Sequence, residues 1–261
     1  MKFDLRRFYG LIKREILQLF SFKPLIVAEV IQPIIWIALF VTSMTGTVSQ
    51  IEYRGTHVSY FEFALPGLIV MQSFNQIGFS LSRVSDERRH GMFKILLTSG
   101  VSHWEYILSK IGVSILISLT QICLLLLFSY AIAGNIFTAS RAYYLLALIL
   151  TALSTMFWSG MGITLGLLFS SAESSSLAKT VILLPVIFSS SIFYDISRAS
   201  LLIALLGTVN PLTYVVVTVR SLFFGVLEES HIFALIASLT LMSLVVCYWT
   251  ISRVDLLVTR R

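Results

Sequence analysis

Charge is scarce in this 261-residue chain, at 12% of residues, about half of what a soluble domain carries. That excludes an ordinary water-soluble globule. Proline (5) and glycine (14) are too few for a collagen-like or low-complexity chain. The two cysteines, Cys123 and Cys247, both lie inside apolar blocks, so no disulfide framework is expected. They read as buried small hydrophobes. Enzymatic signatures are missing too: there is no HExxH, no GxSxG and no P-loop GxxxxGK[ST]. His57, His90, His103 and His231 are not paired on any helix face, and no Cys/His spacing suits a metal. The chain by itself is therefore expected to be neither an enzyme nor the binder of a metal or cofactor.

What the sequence has is apolar length. Hydrophobic residues make up 57% and the mean hydropathy is +0.89. Stretches free of Asp, Glu, Lys and Arg run over 30–51, 63–82, 111–140, 142–172, 180–194, 199–219 and 230–252. A crossing helix needs about 20 apolar residues. Most of these blocks meet that directly, and the short 180–194 does so by borrowing Ser175–Lys179. The block 199–219 is interrupted by Asn210-Pro211, which breaks a helix. If it dips in and returns, six full spans remain.

The charge distribution favours that count. Six spans place fifteen of the nineteen Lys and Arg on one side. These are Lys2, Arg6, Arg7, Lys13, Arg14 and Lys23, five within 83–110, Lys179, and Arg253, Arg260 and Arg261. Arg54, Arg141, Arg198 and Arg220 fall on the other. The positive-inside rule makes the first side cytoplasmic. It also explains the net charge of +6 without a nucleic-acid partner. The fold expected is an all-α membrane protein with six transmembrane helices. A single transmembrane domain covers 1–261, with an interface helix at 1–22 and spans at 25–45, 60–82, 106–133, 143–169, 175–194 and 230–252. A cytoplasmic loop occupies 83–105, and an outer re-entrant hairpin between the fifth and sixth spans occupies 195–229.

The N-terminal segment is not a cleavable signal, because its basic part is too long. Leu5, Phe8, Tyr9, Leu11, Ile12, Ile16, Leu19 and Phe20 recur at helical spacing among Arg6, Arg7, Lys13 and Arg14. Such a helix lies on the membrane surface. Gly162 and Gly166 are four apart, as on a helix face that packs closely against another.

Polar residues inside apolar blocks mark candidate pathway positions: Glu29, Glu62, Asn75 and Gln76, with Gln32 and Gln72 nearby. Glu29 and Glu62 read equally well as interfacial residues, and Asn75 and Gln76 as interhelical hydrogen-bonding groups. The richest segment follows the second apolar block, from Arg83 through Asp86, Glu87, Arg88, Gly91, Phe93 and Leu97 to Ser102. It is charged, then amphipathic, with Met92, Phe93, Leu96 and Leu97 expected on one face. A short helix of this kind suits docking into a groove on a partner.

These residues also carry a likeness. Leu65-Pro66-Gly67-Leu68, then Asp86-Glu87-Arg88 with Gly91, then Leu97-Thr98-Ser99-Gly100-Val101, resemble the permeases of type-2 ABC exporters. Asn210-Pro211-Leu212-Thr213-Tyr214 with Arg220 and Gly225, and the early Gln32-Pro33, resemble the same family. Ser189-Ser190-Ser191 and Gly100 depart from its usual Leu-Ser-Gly and Pro. The resemblance implies a half-transporter paired with a second permease copy and a separate ATP-binding subunit, which would hold ATP and Mg. It also implies a multi-pass protein of a prokaryotic cell membrane with cytoplasmic termini. Asp86, Glu87, Arg88, Gly91, Phe93 and Leu97 would be the ATPase-coupling residues, with Glu87 and Arg88 pairing with its charges. Asn210, Pro211, Tyr214, Arg220 and Gly225 would shape the outer gate, with Arg220 meeting Glu228, Glu229 or an anionic headgroup. The cargo implied is an amphiphile such as a drug, a lipid-linked saccharide or a polysaccharide. The alternatives are a self-standing proton-coupled secondary transporter or channel using Glu29 or Glu62, and an assembly subunit of a membrane complex.

Overall fold

The computed structural model describes residues 3–21, 23–48, 50–53, 55–134, 139–169, 171–196, 199–226 and 231–259. Lys2, Arg54, Arg198, Glu228, Glu229, Arg260 and Arg261 lie outside these residues. The described chain is almost wholly helical. Helix α1 (Leu5–Ser21) is the basic amphipathic segment, and α2 (Lys23–Ile35) passes into a π-helical stretch, Trp36–Val41, and then α3 (Thr42–Thr47). A small antiparallel hairpin, β1 (Gln50–Tyr53) and β2 (Thr56–Ser59), follows and was not expected from the sequence. Next come α4 (Tyr60–Arg89), α5 (Met92–Thr98), α6 (His103–Ala133), α7 (Arg141–Leu168) and α8 (Ala172–Phe188). The chain ends with α9 (Leu201–Val209), α10 (Pro211–Phe223) and α11 (His231–Thr259).

Among the described residues, four segments are long and apolar enough to cross a membrane: Val27–Thr47, His103–Ala133, Arg141–Leu168 and Ile232–Arg253. Helices α9 and α10 meet at 86°, as in a broken span or a re-entrant loop, and would make a fifth if counted as one span. Asn210 and Pro211 cause that bend. Pro211 starts α10 where its missing amide costs nothing, and the Asn210 side chain accepts from Leu212 N at 3.0 Å. The multi-pass, all-α reading therefore holds at the level of four or five crossings.

Helix α4 is the axis of the bundle, and most of its residues are buried among the other helices. Its buried face is mostly apolar but carries several hydroxyls, and those of Ser73, Ser80 and Ser85 find partners within the bundle. Ser80 sits 3.2 Å from Ser114 and 2.8 Å from Ser159, while Ser73 meets Ser154 at 2.9 Å. Glycines permit the approach of α7. A Cβ added at Gly166 would lie 2.7 Å from the Leu81 carbonyl oxygen, and one at Gly162 would strike the Ile77 carbonyl. Helix α4 also runs through Arg89, seven residues past the expected end of the second span. Much of the expected loop is thus the end of a long helix.

Candidate functional site: three polar assemblies along the bundle

The first assembly lies where α1, α4 and α6 meet. Glu15 is the one acidic residue of α1, and it turns inward with 1% of its surface exposed. Lys110 Nζ reaches Glu15 Oε1 at 2.9 Å and Glu87 Oε1 at 2.7 Å. Arg83 Nη2 lies 2.8 Å from Glu15 Oε2, and Arg14 Nη2 bonds both Glu15 and Glu87. The Tyr106 hydroxyl donates to Glu87 Oε2 at 2.8 Å. Burial alone would raise the Glu15 pKa, but Lys110, Arg83 and Arg14 outweigh it and hold the carboxyl below its ordinary value. A single carboxylate among the bases of an amphipathic helix, and a lysine just before an apolar block, were the available sequence signals. Charge pattern alone does not pair them.

This placement corrects the role expected of Glu87. Its carboxylate is buried and spent on Lys110, Arg14 and Tyr106, so it has no free face for a partner protein. Arg88 is directed at the Leu167 carbonyl at the end of α7. Phe93 is likewise an inward residue, buried against Tyr106 at 5.3 Å between ring centroids. Gly91 does take the left-handed backbone, φ +74°, that turns α4 into α5. Leu97 is half-buried beside Phe93 and Leu96. Met92 departs from the expected face: it is 42% exposed, and Ile95, one turn on, is 58% exposed. Asp86 is exposed too, 3.3 Å from Arg89. The outward apolar edge is therefore Met92 and Ile95, with Lys94 beside them.

Deeper in the bundle, the amides form a second assembly. Pro33 has no N–H to give the Glu29 carbonyl one turn earlier. Gln121 Nε2 of α6 supplies the missing donor at 3.1 Å, and also donates to Glu29 Oε2 at 2.7 Å. Gln121 Oε1 accepts from Gln76 Nε2 at 3.4 Å, and Gln76 Oε1 is buried without a partner among the described residues. Alongside, Asn75 Nδ2 reaches Gln32 Oε1 at 3.3 Å and Gln72 Oε1 at 3.5 Å. The residues singled out from the sequence thus converge, apart from Glu62. That side chain is engaged in a capping box at the start of α4, accepting from Ser59 N at 2.9 Å while Glu62 N donates to Ser59 Oγ at 3.2 Å. Gln121 was not singled out, and only the proline four residues after Glu29 hints at it.

The third assembly is built at the break between α8 and α9. Arg220 is 1% exposed, which excludes both a surface ion pair and a headgroup contact. Its Nε donates to the Phe63 carbonyl at 2.9 Å, and Nη2 donates to the Ser191 and Ile192 carbonyls at 2.6 and 3.1 Å. Nη1 lies 3.2 Å from Ser191 Oγ, and the guanidinium carbon is 3.8 Å from the Phe63 ring centre. Ser191 and Ile192 lie just past the end of α8, outside any helix, so their carbonyls have no helical donors. Gly67 allows the same loop to lie against α4, since a Cβ there would be 2.6 Å from the Ile192 oxygen. Asn210 Nδ2 holds the Val186 carbonyl at 2.7 Å and Ser189 Oγ at 3.0 Å. The Tyr214 hydroxyl bridges the bend to the Thr208 carbonyl at 2.6 Å, and Gly225 ends α10 at φ +76°. Segments far apart in sequence, 63–67, 189–192 and 210–220, are thereby one scaffold.

The transport permease ycf38 of Cyanophora paradoxa is 22% identical over 228 residues, 85% of this chain and 75% of that protein. Its counterpart in Porphyra purpurea is 24% identical over 237 residues, 85% of this chain and 79% of that protein. The family profile described as ABC-2 type transporter matches residues 6–224, which hold all three assemblies, and on that match this multi-pass membrane protein belongs to the ABC-2 type transporter family.

Proposed function

We propose that the chain is the membrane half of an ATP-driven exporter. It pairs with a second permease copy and sits on separate ATPase subunits that bind ATP and Mg. The full topology is six spans with α9 and α10 as an outer re-entrant hairpin and both termini cytoplasmic. The cargo is an amphiphile, drawn from drugs, lipid-linked saccharides or polysaccharides. The observation that carries this reading is α5. Its inner face, Phe93 and Leu96, is anchored in the bundle, while Met92 and Ile95 are offered outward on a short helix. A helix so held can receive a push without folding away from the body. The rows of exposed apolar residues on α8, Leu177, Val181, Leu184 and Phe188, leave a face for lipid or for the second copy.

The Met92/Ile95 edge is the place to test. Purification in mild detergent with intact-mass counting should recover an ATP-binding polypeptide at equal stoichiometry. The Ile95→Asp variant should lose it while keeping its own elution profile. Retention of the partner by Ile95→Asp would overturn the docking assignment, and a preparation with no nucleotide-binding partner even after cross-linking would overturn the exporter. Glu29, held inside the bundle by Gln121, keeps one other reading in view, a proton-coupled secondary transporter. That reading requires transport by the isolated chain, with loss in Glu29→Gln.

A further inference from the structure

A cavity of about 150 Å³ opens between the interface helix and the bundle. Leu19 and Phe20 of α1, Glu29 of α2, and Leu116, Thr120 and Gln121 of α6 form its walls. A largely apolar cavity of this size has room for a ring-sized guest. Glu29 is the only charged residue in the lining. One of its oxygens accepts from Gln121, and among the described residues no donor or ion-pair partner reaches the other. Lys179 is the cation near Glu29, but its stem packs against Gly78 and it forms no ion pair with Glu29 among the described residues. A carboxylate lining an apolar cavity calls for a cation.

We infer that this cavity binds hydrophobic amines, with the ammonium on Glu29 and a ring-sized apolar body against Leu19, Phe20 and Leu116. Glu29 lies six residues along α2 from Lys23, about 9 Å at 1.5 Å per residue, beneath the surface on which α1 rests. Amphiphilic amines concentrate at that depth, with the charge near the headgroups and the ring among the chains. The occupant also has two routes to the rest of the bundle. Ile16, another lining residue, follows Glu15 of the ion-pair network, and Gln121 continues to Gln76 of α4. A guest that binds one arrangement of these helices better than another shifts their balance. The inference names a cargo class for the exporter and rests on that reading only for transport, since binding belongs to this chain alone.

The test is saturable binding of radiolabelled 4-phenylbutylammonium to the purified chain in lipid nanodiscs. Competitors are 4-phenylbutan-1-ol, which keeps the body, and 4-phenylbutyrate, which reverses the charge. The alcohol and the acid should bind at least about thirty-fold more weakly than the amine, the usual cost of leaving a buried charge unpaired. The near-isosteric Glu29→Gln should lose about the same factor, and Leu116→Trp, which fills the cavity, should abolish saturable binding. Glu29→Asp should retain part of it. If Glu29→Gln binds the amine as well as the parent does, or the alcohol binds as well as the amine, the site is a lipid crevice and the inference is wrong. Amine binding that follows these rules in a chain with no ATPase partner would uphold the site and defeat the exporter instead.

Discussion

Replacing Glu15 by Gln is the most direct probe of how α1 is held. The change is nearly isosteric, so packing is preserved and only the charge is lost. Before it, two carboxylates, Glu15 and Glu87, face three cations, Lys110, Arg83 and Arg14. After it, one carboxylate faces all three. Removing one member of a buried ion pair costs about 3–5 kcal/mol. Arg14 is 28% exposed and can turn to water, whereas Lys110 at 3% cannot. The lower end, about 3 kcal/mol, is therefore the better figure. It corresponds to roughly a hundred-fold rise in the undocked population of α1. Hydrogen exchange of residues 5–21 in nanodiscs reads that population, because amide protection follows the local opening equilibrium. The α1 amides should exchange about a hundred-fold faster, with α7 amides unchanged. Adding Lys110→Met removes the stranded cation and should recover much of the protection. Exchange within a factor of about three of the parent, or a double variant no better than the single, would show that the network does not fasten α1.

Acid should release the same helix, and the sign follows from the Glu15 shift. Its carboxyl is held below 4.5 in the folded protein, so its stabilisation is complete above that value and lost as pH falls through the lower folded value. The α1 protection should be flat from pH 8 to about 5 and fall only below about 4; a decline already at pH 6 would point to another group. Arg220→Lys keeps the charge but not the planar fork, leaving at least one of the Phe63, Ser191 and Ile192 carbonyls unpaired. It should cost about 1–3 kcal/mol, read as a lowered thermal midpoint, whereas a surface arginine would tolerate the change. Gly166→Ala would press a methyl onto the Leu81 oxygen and should cost about 1–3 kcal/mol, while Gly46→Ala, with open space around it, should be silent in the same assay.

Much of the architecture is legible because apolar length and helix breakers are local. The amphipathic α1, the long apolar blocks and the bend at Asn210-Pro211 all follow from periodicity and proline chemistry. Glu29, Asn75 and Gln76 could be picked out as polar residues in apolar surroundings. Their partner Gln121 could not, because one glutamine among apolar residues carries no mark of which carbonyl a distant proline has left open. The coupling segment shows a related failure. The family resemblance gave Glu87, Arg88 and Phe93 together as partner contacts, on the order of motifs along the chain. A thirty-residue α4 rotates Glu87 toward Lys110, and the Gly91 turn sends Phe93 inward, leaving Met92 and Ile95 outside.

Arg220 shows where counting charges loses its physical basis. The positive-inside rule works because a solvated cation resists translocation on its own, and that premise treats each arginine as facing water. Arg220 instead meets its hydrogen-bonding demand with the Phe63 carbonyl of α4, two carbonyls of the loop after α8, and the ring of Phe63. A guanidinium satisfied within the fold says little about which side of the membrane its segment occupies. Setting it aside removes one of the few arginines counted opposite the basic N-terminus. The same burial explains why a break in α8 is tolerated at all. Backbone that leaves the helix at membrane depth must find partners inside the protein. Here Arg220 and Asn210 supply them, and the absence of a side chain at Gly67 lets the loop lie close against α4. Removing any one of these should loosen the segment from the end of α8 to α10 before it disturbs α4, since α4 keeps its own contacts with α6 and α7.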